Sequence, residues 1–217
     1  MFDDRDDAAR RLAAALAPYA PDRPLVLAIP RGAVPMGLIV AQALGGDLDV
    51  VLVRKLRAPG NPELAVGAID ESGWAFVADH AESVGARHAW LEREKHEQLA
   101  LLAERRRQYT PWRGRHDAAG RVAIVIDDGL ATGSTMIAAL HSVRARNPRR
   151  LVCAVPVASR EALDRISEYA DDVVCLDVPR WFGAVGEAYR RFDQVGDDEV
   201  TAILHAESVR RAEKPAA

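Results

Sequence analysis

Nine consecutive residues, Asp127-Asp128-Gly129-Leu130-Ala131-Thr132-Gly133-Ser134-Thr135, hold two adjacent carboxylates, two glycines and three hydroxyls. A phosphate needs several N–H donors converging on one point. A tight glycine-containing turn that opens a helix supplies them, and the helix dipole favours the negative charge. Thr132, Ser134 and Thr135 add hydroxyl donors. Carboxylates repel phosphate, so Asp127 and Asp128 suit a neighbouring group that carries donors, such as the vicinal hydroxyls of a ribose. The ligand implied is a sugar phosphate, ribose 5-phosphate or its activated form. Two further stretches carry the opposite charge, Pro30-Arg31-Gly32 and Arg54-Lys55-Leu56-Arg57. A guanidinium fork and backbone donors at Gly32 suit a pyrophosphate, and the three cations also need an anionic partner. The plainer alternatives are an acidic pair solvated at a strand-to-helix turn and an arginine exposed on a loop.

The elements that must position these groups are readable around them. Residues 122–126 are five apolar residues without polar alternation, the pattern of a strand covered on both faces of a parallel sheet. A helix over 136–143 follows the hydroxyl-rich loop. Residues 25–29 and 36–44 repeat the strand-loop-helix design around Arg31, so both loops are expected at the carboxyl ends of parallel strands, facing one crevice. A third strand is expected over 49–53, leading directly into Arg54 and Lys55. Residues 64–69 and 74–77, joined by Asp70-Glu71-Ser72-Gly73, read as a hairpin. Residues 86–109 read as a long charged helix with a narrow stripe at Leu91, Leu99 and Leu102, its Arg105, Arg106 and Arg107 on a solvated face. A polar linker over 110–119, strands over 151–157 and 173–176, a helix over 161–168, and a last helix from Asp197 to about 211 complete the order, with a frayed tail at 214–217.

Competing chemistry is absent from the motifs. No G-x-x-x-x-G-K-[ST] or strand-borne G-x-G-x-x-G occurs, no histidine pair has H-E-x-x-H spacing, and Cys153 and Cys175 sit among valines as reduced core residues would. A net charge of −3 gives no basic surplus, so no nucleic acid is expected as partner. The acidic start, Met1-Phe2-Asp3-Asp4-Arg5-Asp6-Asp7, has no apolar core of leader length, and no apolar run is long enough to cross a membrane. A cytoplasmic protein is the expectation.

Residues 126–135, Ile-Asp-Asp-Gly-Leu-Ala-Thr-Gly-Ser-Thr, resemble the phosphoribosyl pyrophosphate (PRPP) signature of the type I phosphoribosyltransferases. The resemblance implies one α/β domain over 1–217: an open parallel sheet with flanking helices (core 21–57 and 120–178), a flexible flap with the long helix (58–119), and a small hood (178–217). It further implies that Asp127 and Asp128 hold the ribose hydroxyls and that Ala131, Thr132, Gly133, Ser134 and Thr135 wrap the 5-phosphate. Arg31 and Gly32 resemble the family's pyrophosphate loop, in which a peptide bond is often cis; the sequence leaves open whether the Arg31-Gly32 bond is. Lys55, preferred over Arg54 within the pair, would contact pyrophosphate. Mg²⁺ would arrive bound to the substrate, with no direct protein ligand.

The implied activity is a glycosyl (pentosyl) transfer in which a nitrogenous base displaces pyrophosphate at ribose C1. A non-catalytic PRPP or nucleotide sensor of the same fold is the alternative. Two departures bear on this. Gly129 stands where the family has an aliphatic residue, which is expected to soften the turn. Ala131 stands where 6-oxopurine enzymes place an acidic proton acceptor, which disfavours hypoxanthine or guanine. Trp181 and Phe182 resemble loosely, with different spacing, the aromatic that stacks on purines in the family, and read either as a base platform or as a hydrophobic lid or homodimer contact.

Overall fold

The computed structural model describes residues 1–111 and 116–212. The middle of the linker read at 110–119 and the frayed tail lie outside the described residues. The chain opens with α1 (Arg5–Ala15), capped by Asp4, whose side chain accepts from the Asp7 N–H at 3.0 Å. It continues through β1 (Leu25–Ala28), α2 (Ala33–Ala43) and β2 (Asp47–Val50). Next come β3 (Val53–Ala58), β4 (Asn61–Asp70), β5 (Ala75–Val77) and the long α3 (His88–Tyr109). The second half runs β6 (Val122–Ile126), α4 (Ser134–Arg144), β7 (Arg150–Val157), α5 (Arg160–Ile166), β8 (Asp172–Asp177) and α6 (Asp197–Ala212).

Five strands form a parallel sheet in the order β2-β1-β6-β7-β8. Its strands β1 and β6 are apolar throughout because both faces are covered. Val26, Ala28, Ile124, Ile126 and Val152 pack on one side with Leu12, Val40 and Leu204 from α1, α2 and α6. Leu25, Leu27, Ala123, Val125 and Cys153 pack on the other with Ile137, Leu140 and Ile166 from α4 and α5. Register decides where the loops emerge. β1 and β6 are neighbours ending level, Ala28 beside Ile126, so the loops at 30–32 and 127–133 leave the sheet side by side.

The strand expected over 49–53 is not one strand. β2 stops at Val50, and the chain enters a separate antiparallel sheet, β3-β4-β5. Arg54 and Lys55 therefore lie on β3, where alternation sends successive side chains to opposite faces. This small sheet, which includes the expected hairpin, packs under α3 and against α4, where the Trp74 ring stacks on His141 at 3.7 Å between centroids. The face α3 turns inward is also more polar than its leucine stripe: Leu102 is buried, but so are Glu94 and Gln98. Arg106 departs from its expected solvated position, donating to Glu71 through Nε at 2.9 Å and Nη2 at 2.6 Å.

Candidate active site

β6 ends on the acidic pair, and the two carboxylates meet different surroundings. Asp127 opens in part onto a pocket, yet burial of its carboxyl, followed by the charge of Asp128, raises its pKa well above the usual carboxylate range. Lys55 and Arg5 act in the opposite direction. Its Oδ1 also accepts from the Asp128 N–H at 2.9 Å. Asp128 is paired with Arg5, which donates to Oδ2 from Nε at 3.0 Å and Nη2 at 2.8 Å. The Tyr189 hydroxyl donates to the Asp128 carbonyl at 2.6 Å.

Gly32 lets these groups come together. A Cβ there would lie 2.2 Å from Asp128 Oδ2 and 3.0 Å from Arg5, so any side chain would break the arrangement. The nearby cis peptide is Pro30-Arg31, one bond before Arg31-Gly32. Gly129 is also a matter of space rather than of turn geometry. Its φ is not positive, and a Cβ would meet Val185 at 2.6 Å and Val157 at 2.9 Å.

The loop is tied down at its middle and open at its end. Leu130 N–H donates to Val157 O at 2.9 Å, and Ser159 Oγ donates to Ala131 O at 2.8 Å. Gly133 turns the chain into α4 with φ 79, a conformation that favours glycine, and no side chain caps the first helical N–H groups. Those donors, with the hydroxyls of Thr132 and Thr135, border a pocket of about 210 Å³. Lys55, Asp127, Asp128, Ala131 and Val185 line it too. The arrangement can take an anion at the helix end and hydroxyl donors at the acidic pair.

Not every residue singled out in the sequence reaches this pocket. Lys55 does; Arg54, on the other face of β3, instead donates to Gln98 of α3. Arg31 points to the start of α6, where Nη1 lies 3.4 Å from Asp197 Oδ2 in an exposed pair. A second cavity, about 220 Å³, begins beyond Val157. Phe182 lines it half-buried, with Asp177 and Glu187 as its acidic groups, whereas Trp181 borders it at 92% exposed.

A family model described as "Phosphoribosyl transferase domain" matches residues 3–191. The chain belongs to the phosphoribosyl transferase family. A Mycobacterium tuberculosis relative named "Putative phosphoribosyl transferase" is 43% identical over 207 residues, 94% of this chain and 46% of its own length. The chain thus spans about half the length of the curated relatives it matches. A crystal structure of a Thermus thermophilus protein is 47% identical, with a TM-score of 0.78 over 94% of this chain and 97% of that one. Membership accounts for the acidic pair, the loop and the parallel sheet. Arg5 and Tyr189 had no signal in the sequence: one sits in an acidic N-terminal stretch, the other in the hood. No helix among the described residues is long and apolar enough to cross a membrane.

Proposed function

We propose that this family member is a phosphoribosyltransferase that takes PRPP with Mg²⁺ and moves the phosphoribosyl group to a ring nitrogen of a small base. The observation that carries the reading is the pocket itself: acidic pair, helix-opening loop and Lys55 border one space sized for a phosphorylated sugar. In this reading Asp127 and Asp128 accept from the ribose hydroxyls, and residues 131–135 wrap the 5-phosphate. Lys55 and the Gly32 backbone receive the pyrophosphate. Arg31 would first leave Asp197, at small cost for an exposed pair. Mg²⁺ belongs to the substrate here, keeping most of its waters on the pyrophosphate.

The C1–O bond to pyrophosphate breaks as the C1–N bond forms, through an oxocarbenium-like state. Protein groups contribute by fixing the ribose and by offsetting charge on the leaving group. The cavity beyond Val157 is the acceptor's place, with Phe182 as an apolar wall. Glu187 and Asp177 favour a base presenting N–H donors, and Ala131 supplies no carboxylate of the kind 6-oxopurine transfer uses. Trp181, open to solvent, suits a lid or a contact with a second copy.

Calorimetric titration of Mg-PRPP into wild type and Asp127→Asn/Asp128→Asn, then a pyrophosphate-release screen over purine and pyrimidine bases, tests this. Micromolar binding lost in the double variant, with release for one base, is the expected outcome. Binding without release for any base favours a PRPP-binding regulator instead. Absence of PRPP binding by folded wild type overturns the reading.

A further inference from the structure

Arg5 lies 123 residues before Asp128, yet two of its donors converge on a single oxygen, Oδ2, at 2.8 and 3.0 Å. The pair is well shielded, with side-chain exposures of 13% and 17%. Every part of the guanidinium is engaged: Nη1 donates to the Asp193 carbonyl, and the central carbon lies 3.8 Å from the Phe192 ring centroid. An arginine held on both edges and one face is not reaching for a phosphate. It is fixed by the start of α1 and by the hood, and it fixes Asp128 in turn. From the backbone side, the Tyr189 hydroxyl does the same. Among the described residues no donor reaches the other oxygen, Oδ1.

We propose that Arg5 is a positioning residue for the sugar: by occupying Oδ2 it sets the Asp128 carboxylate so that Oδ1 is the oxygen offered to a ribose hydroxyl. The inference rests on reading the acidic pair as the ribose site. Geometry and charge both contribute. A free carboxylate rotates about its last bond and spreads its acceptor capacity over solvent, whereas one oxygen pinned by a planar fork leaves the other with a defined direction. Two adjacent carboxylates also repel each other, and a guanidinium at 2.8 Å offsets that repulsion while the pocket waits for a diol. Lysine would supply the charge but not the fork.

The test is hydroxyl discrimination. Ribose 5-phosphate and 2-deoxyribose 5-phosphate are titrated calorimetrically into wild type, Arg5→Ala and Arg5→Lys, each first checked for a cooperative melt. Wild type is expected to prefer the ribose form by about tenfold, the scale of one charge-assisted hydrogen bond. In Arg5→Ala the ratio falls to about twofold or less while the affinity for the deoxy sugar phosphate holds. In Arg5→Lys it is intermediate, at least about threefold below wild type. Should Arg5→Ala fail to fold, the lysine variant alone decides. A wild-type ratio retained in the folded variants overturns the role of Arg5 and leaves the ribose site standing. Equal loss of both sugar phosphates shows a merely structural role and overturns it too. A wild type with no preference removes the ribose reading of the acidic pair, and this inference with it.

Discussion

Asp127 carries a conflict between folding and binding. Its pKa is raised by burial first and by the charge of Asp128 second, so the folded chain holds that proton more tightly than the unfolded chain. The sign follows from linkage. Stability from this group is fully present below the ordinary value of 3.8 and is lost as pH rises through the raised folded value. Above that ordinary value the group therefore costs the fold stability. Asp127→Asn keeps an oxygen for the Asp128 N–H and removes the charge, so we expect the melting temperature at pH 7 to rise by roughly 2–4 °C per kcal/mol regained. The same variant should bind Mg-PRPP at least about tenfold more weakly, since a charged acceptor has become a neutral one. A melt series across pH checks both halves: the variant should lack the wild type's decline through the Asp127 titration. At this scale the sequence disclosed the carboxylates and the loop, because their chemistry is local. Arg5 and Tyr189 stayed hidden, since nothing local links an arginine in an acidic stretch to a carboxylate 123 residues away. Gly129 looked like a softened turn, but only the position of Val185 shows that it is a packing requirement.

Elements were legible where their pattern was strong and ambiguous where the chain changes sheets. Strands β1, β6 and β7 announced themselves as buried apolar runs. By contrast Val51, Leu52 and Val53 extend an apolar run that begins at Val50, the last residue of β2, so the passage into β3 left no mark, and with it the alternation separating Lys55 from Arg54. The inner face of α3 was misread for a related reason. Glu94 and Gln98 look like surface residues, but Glu94 Oε1 accepts from the Arg57 backbone N–H at 3.1 Å, from Arg57 Nε at 2.9 Å and from the Gln98 amide at 3.0 Å. This one buried oxygen fastens β3, and so the small sheet, to the helix above it. Glu94→Ala leaves three donors without it, and a loss of about 2–4 kcal/mol is expected. Its location is the sharper expectation: amide hydrogen exchange should accelerate over 53–77, while β6 and β7 keep wild-type protection. Uniform acceleration across both sheets would show that they open as one unit.

On the scale of the whole molecule, the beginning of the chain and the hood are one structure. Phe2 pairs with Tyr189, giving its N–H to Ala188 O at 2.7 Å and receiving the Arg190 N–H at 2.9 Å. Phe2 is 3% exposed, and its ring centroid lies 5.5 Å from that of Tyr189. Phe2→Ala should cost about 3 kcal/mol, which for a chain of this size lowers the melting temperature by roughly 6–12 °C. A differential scanning measurement checks this, and a change under about 2 °C would mean the strap contributes little. The same strap sets a temporal order on synthesis. Among the described residues the last strand ends at Asp177, so on a growing chain the strands of both sheets emerge before Tyr189 does. Until then Phe2 has no partner and Asp128 lacks its backbone clamp. The sugar-holding pair thus matures only after the strands that carry it.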